Sequence, residues 1–125
     1  VYYGDTQFGA AVDKAIENWT EASNGAIKIV KVDQPTEHSI EIVDRYSGNF
    51  GQFTLTPSPR LYLSKNRLKT ADMANQAFVV GHELGHAMGL SHGCDDTIMR
   101  DLRTFGTSSL VPTAVDVAAV RQGNF

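Results

Sequence analysis

Apolar positions along the chain fall into blocks whose spacing changes from helical to alternating and back. Phe8, Ala11, Val12, Ala15, Ile16 and Trp19 recur at helical spacing. They predict a helix capped by Asp5 or Thr6 and running to about Ser23, with Trp19 as a core anchor. Asn24-Gly25 is a turn signal that ends it. Ala26 to Val32, rich in Ile and Val, predicts a buried strand broken by Pro35, and Ser39 to Asp44 a second strand with Ile40 and Ile42 on one face. Gly51 to Thr56 and Arg60 to Ser64 both alternate apolar and polar residues, as half-exposed strands do, with Pro57 and Pro59 bending the chain between them.

A second long helical pattern, capped by Thr70 or Asp72, runs from about Ala71 to Met88. Ala74, Ala77, Phe78 and Gly81 supply small or apolar contacts on its sheet-facing side. Gly85 lies inside this helix, where it costs about 1 kcal/mol relative to Ala, so another backbone, such as the loop carrying Met99, is expected to approach closely there. Near the end, Pro112 and Thr113 open a last helix closed by Gly123, with Asp116 completing a Thr-x-x-Asp capping box. Helices and strands in this order predict an α+β fold. No repeat or linker divides it, so 1–125 is read as one domain.

The candidate chemistry lies in Gly81-His82-Glu83-Leu84-Gly85-His86-Ala87-Met88-Gly89-Leu90-Ser91-His92, which holds three of the four histidines. Positions four apart share a helix face, so His82 and His86 can bind one metal ion, with Glu83 beside it as a base for a metal-bound water. Gly89 can adopt the left-handed conformation that ends a helix, letting His92 return to the same metal. Three imidazoles leave a tetrahedral Zn2+ one open position, as in a catalytic site. A solitary H-E-x-x-H can arise by chance. Here Leu84, Met88 and Leu90 mark a buried helix, in which unpaired imidazoles and a carboxylate would be costly.

Composition narrows the possibilities further. A formal charge of −3 argues against a nucleic-acid partner, and no apolar run is long enough to span a bilayer. The single cysteine, Cys94, excludes an internal disulfide framework; it is read as an inert thiol, with contact to the metal in an inactive state as the alternative. His38 has no partner ligands nearby in sequence and reads as a surface or strand-end residue. The chain begins at Val1 and carries no signal peptide, as a processed or trimmed form would.

The run H-E-x-x-H-x-x-G-x-x-H resembles the signature of the metzincin clan of zinc endopeptidases. Asp96-Thr97-Ile98-Met99 resembles the clan's methionine-containing turn, and the short link from His92 to Met99 is similar to that of matrixins, closest to a minimal microbial type. The resemblance implies a twisted, mostly parallel sheet of about four to five strands with an antiparallel edge strand. It also implies a backing helix, an active-site helix and a C-terminal helix. Gly51–Thr56 would be the edge strand, with Phe53, Thr54 and Leu55 pairing with an extended polypeptide substrate. Met99 would form a hydrophobic floor under the imidazoles, and Asp116 would brace the methionine turn from behind. Secretion, a monomeric state and control by a propeptide or protein inhibitor are implied as well. Matrixins often follow the methionine with Pro-x-Tyr; this chain has Arg100-Asp101-Leu102-Arg103, so its pocket wall is expected to differ. The function implied is zinc-dependent hydrolysis of internal peptide bonds with Glu83 as general base and acid. The alternatives are a catalytically silent zinc-dependent binding domain on the same scaffold, and a zinc hydrolase whose third ligand is a later Glu.

Overall fold

The computed structural model describes residues 1, 6–36, 39–55, 58–92, 97–99 and 110–121. Asp5, His38, Thr56, Pro57, Cys94, Asp96, Arg100–Arg103 and Gly123, on which parts of the sequence reading fall, lie outside the described residues. The first helix, α1, spans Gly9–Ala22 and buries Ala11, Val12, Ala15 and Trp19, the stripe expected from their spacing. Its N-cap is Phe8 and no side chain caps it. Thr6 instead accepts a bond from the Phe8 N–H (3.1 Å) and donates to Asp44 Oδ1 (2.6 Å), tying the start of the helix to the first strand. Asn24 and Gly25 both take positive φ and end the helix, with the Gly25 N–H returning to the Thr20 carbonyl (2.8 Å).

Three strands form one mixed sheet: β1 (Glu41–Arg45), β2 (Gly51–Thr54) and β3 (Arg60–Ser64), in the order β1-β3-β2. β1 runs parallel to β3, pairing Ile42 with Leu61, and β2 runs antiparallel to β3, pairing Phe53 with Leu61. The architecture is therefore α+β with an antiparallel edge strand, and the sheet among the described residues is smaller than the four to five strands expected. Ala26 to Val32 does not join it. The Ile27 N–H is taken by Ser23 Oγ (2.9 Å), the Val32 N–H by the Val1 carbonyl (2.8 Å), and the Val30 carbonyl by the Val1 amine (2.7 Å). With Val30 exposed, only Ile27 and Ile29 of this segment pack on the core.

A four-residue helix, α2 (Lys65–Leu68), follows β3 directly and is capped by Ser64, whose hydroxyl accepts the Arg67 N–H (3.1 Å). Periodicity could not reveal so short an element. α3 (Met73–Ala87) is capped by Asp72, one of the two residues expected to do so, through a bond from the Asn75 N–H (2.9 Å). Ala74 sits in the exposed first turn and not on the sheet-facing side. From Ala77 to Gly85 every residue of α3 is buried. A helix buried all round is a central one. α3 lies between α1 and the β2 edge of the sheet, and α4 (Ala114–Arg121) contributes Val117 and Val120 to the same core.

Trp19 joins α1 to α3 by more than packing. Its indole N–H donates to the Gly81 carbonyl (2.9 Å) in a fully buried position, one residue before His82. Trp19→Phe keeps most of the apolar volume and removes this bond. The variant should lose about 1–3 kcal/mol of stability, read as a lower urea midpoint; an unchanged midpoint would show that the bond does not hold the two helices.

Candidate metal centre

His82 and His86 stand one turn apart on α3, and the helix ends at Ala87, directly after His86. Gly89, at φ 92°, takes the left-handed conformation expected of it. The Gly89 N–H returns to the His86 carbonyl and the Leu90 N–H to the Gly85 carbonyl (both 3.0 Å), the two bonds of a Schellman turn. The chain reverses, and His92 comes back to the helix face. The ring centroids lie 4.7 Å (His82–His86), 5.3 Å (His82–His92) and 5.0 Å (His86–His92) apart. Each ring offers one nitrogen within 4.8 Å of the others.

The hydrogen bonds select which nitrogens face inward. His82 Nδ1 donates to the Ile98 carbonyl and His86 Nδ1 to the Leu90 carbonyl, both at 2.8 Å. A carbonyl only accepts, so both protons sit on Nδ1 and both Nε2 atoms present lone pairs in the neutral rings. Those Nε2 atoms face each other at 3.1 Å. Two acceptors at that distance repel unless a cation or proton lies between them. Two ligands of a tetrahedral ion, at bond lengths of about 2.0–2.1 Å, would stand about 3.3 Å apart. The three histidines thus fit a metal ion, and neutral nitrogen donors of this kind suit zinc, copper, iron or nickel.

Behind His82 the second layer is built from residues 97–99 and α4. Asp116, buried at 3% exposure, accepts from the Ile98 N–H (3.0 Å), the Thr113 N–H and the Thr113 hydroxyl (both 2.8 Å) through a single oxygen. Capping of its own helix and support of the residue before Met99 therefore coexist. Asp116 fixes the Ile98 peptide, and the carbonyl of the same residue orients His82. Met99 is buried with its sulfur against Gly85. The close approach at Gly85 is therefore made by the Met99 and Trp19 side chains and not by another backbone as expected, because the thioether occupies the space a Cβ would take.

Glu83 is 3% exposed, and its Oε2 lies 4.0 Å from His82 Nε2. Burial pushes its carboxyl up to about 7, and a bond from the Phe53 N–H of β2 opposes the rise. Burial also holds His86 below the ordinary histidine range; the bond to Leu90 opposes this, and the nearness of the His92 ring adds to it. Of the expected substrate residues, Phe53 and Thr54 are half-buried on β2, and Leu55, beyond the strand, is exposed. Sequence reasoning passed over Gly51: a Cβ there would come within 3.1 Å of Glu83 Cγ. A glycine opening a strand pattern is the available signal for such a close approach.

No protein-family model matches the chain, and no curated protein matches it.

Two outcomes test this construction. From pH 4.5 to about 7 the folded chain keeps a proton on Glu83 that the unfolded chain has released, so the fold without metal loses stability as pH rises through that window. Glu83→Gln, with chelator present, should therefore gain stability over the parent at pH 8, by roughly 2–4 kcal/mol, and gain little at pH 4.5. Equal urea curves for the two proteins at pH 8 would refute the burial argument. Asp116→Ala should weaken metal binding about 10- to 100-fold, measured by chelator competition. Unaltered affinity would remove Asp116 from the support of His82.

Proposed function

We propose that this chain is a zinc-dependent endopeptidase of metzincin type, nearest to a minimal matrixin catalytic domain, which hydrolyses internal bonds of extended polypeptides. One observation carries the reading: two helix-borne imidazoles, each fixed through Nδ1 by a main-chain carbonyl, meet at 3.1 Å with a buried carboxylate 4.0 Å away. A structural metal site needs no such carboxylate. His82, His86 and His92 would hold the ion, leaving one side to solvent past the exposed His92. Zinc in such a site supplies Lewis acidity, which acidifies water and polarises a carbonyl.

The chain's own residues would do the rest. Glu83 would accept at Oε2 the proton of a water attacking the scissile carbonyl, and would deliver it to the departing amine. A carboxyl that titrates near neutrality is matched to taking and giving the same proton. β2 is the edge strand beside α3, and main-chain groups on its outer side suit an extended peptide. The matrixin resemblance supports the larger sheet, action outside the cell as a monomer, and control by a propeptide or protein inhibitor.

Digestion of casein and of a peptide mixture tests this reading. The zinc-loaded protein should cleave internal bonds and stop when chelator is added. Glu83→Ala should retain the metal and lose about 10²- to 10⁴-fold in kcat, whereas His86→Ala should lose the metal as well. Turnover by Glu83→Ala near the parent rate would sink the mechanism.

A further inference from the structure

β2 meets α3 at the one carboxylate of the site. The Ser64 N–H donates to the Phe50 carbonyl (3.1 Å), which makes Phe50 and Ser64 a hydrogen-bonded pair of the antiparallel ladder. Such pairs alternate along a strand, so Gln52 and Thr54 turn their main-chain groups toward β3, and Gly51 and Phe53 turn theirs outward. The outward Phe53 N–H favours the ionised form of Glu83, whose stem lies against the same strand. Two residues earlier, a Cβ on Gly51 would lie 3.0 Å from Val79 Cγ1, 3.1 Å from Glu83 Cγ and 3.3 Å from the Tyr62 carbonyl oxygen. Gly51 is not among the positive-φ glycines, so its backbone would accept an alanine. A methyl group there would have to push back Val79 and the stem of Glu83 by a few tenths of an ångström, against the fixed Tyr62 carbonyl, so the glycine leaves the room in which that stem sits.

We propose that Gly51 and the Phe53 N–H together form a seat on β2 that orients Glu83, the glycine receiving its stem and the amide its carboxylate. Both are positioning residues for the peptidase reading above, on which this inference rests. A carboxylate on an exposed helix face would sample several rotamers; one held at its stem and at its head keeps a single rotamer. The seat also sets where an extended substrate can pair. The Phe53 N–H is engaged by Glu83, so a peptide along β2 takes the Phe53 carbonyl and the groups of Leu55, beyond the strand end.

Substitutions at the two points separate this role from a structural one. Phe53→Pro removes the N–H at a position that does not bond to β3, where an edge strand tolerates proline. Phe53→Ala removes the ring and keeps the N–H. Phe53→Pro should show a kcat about 10- to 100-fold below that of Phe53→Ala, with zinc content equal. A difference confined to KM would assign the amide to substrate pairing and overturn the seat. Gly51→Ala should lower kcat by a similar factor while it retains zinc; parent kcat in Gly51→Ala would likewise overturn it. The readout independent of turnover is the Phe53 amide resonance in the ¹H–¹⁵N spectrum, with zinc and with chelator. In Glu83→Ala it should move upfield, while the Gln52 and Thr54 amides, bonded to β3, stay in place. A stationary Phe53 amide refutes the proposal whatever the activity. If the amide moves but the zinc-loaded parent cleaves no peptide, the seat stands and the peptidase reading falls.

Discussion

The structure depends on how closely residues 97–99 can approach α3. Gly81 and Gly85, one turn apart, leave that side of the helix without side chains. A Cβ at Gly81 would be 2.9 Å from Ile98 Cδ1, and one at Gly85 would run into Met99 Sδ. Two glycines inside a helix cost about 1 kcal/mol each. Burial of Ile98 and Met99, at 1% and 2% exposure, returns about 1.5–3 kcal/mol each. The approach is therefore favourable on packing alone, and it also brings the Ile98 carbonyl within hydrogen-bonding distance of His82. Without it, the imidazole that lies deepest would have lost the partner that fixes its tautomer.

The same packing makes Glu83 electrostatically costly. The Phe53 N–H stabilises the ionised form, yet the net displacement is upward, so loss of water outweighs that bond. The fold thus brings together a carboxyl whose burial favours its neutral form and two ring nitrogens facing each other at 3.1 Å. Each cost is relieved by positive charge in one place, between the His82 and His86 nitrogens and beside Glu83. A site whose strains share a single remedy is preorganised for a cation. Asp116, also buried, meets its partners within the protein, in the Ile98 N–H and the Thr113 N–H and hydroxyl.

The three longer helices were legible because their signals are local. The α1 stripe, the Asp72 cap, the Gly89 stop and the H-E-x-x-H face each depend on residues within about two turns of one another. The sheet was less legible. Ala26 to Val32 has the composition of a strand, but composition does not say which chain it pairs with, and its main-chain groups go to Val1 and Ser23. Within the site, the three imidazoles and Glu83 could be placed from spacing, and Asp116 from its capping pattern together with the resemblance. The Ile98 and Leu90 carbonyls could not, since a main-chain acceptor carries no residue type. Gly51 escaped for a related reason: its role is the room it leaves for Glu83, and only the packing of β2 on α3 reveals that room.

The turn after α3 shows why the helix stop and the histidine cluster are one feature. Leu90 carries two bonds in opposite directions: its N–H closes the turn on the Gly85 carbonyl, and its carbonyl orients His86 Nδ1. Two residues later the chain presents His92. A side chain at Gly89 would cost about 1–2 kcal/mol in the left-handed region, and relaxing that strain would move Leu90 first. His86 would then lose its orienting carbonyl and His92 its path back to the helix, so one backbone angle governs two of the three imidazoles. The glycine midway between His86 and His92 is needed for geometry as much as the histidines are for donor atoms.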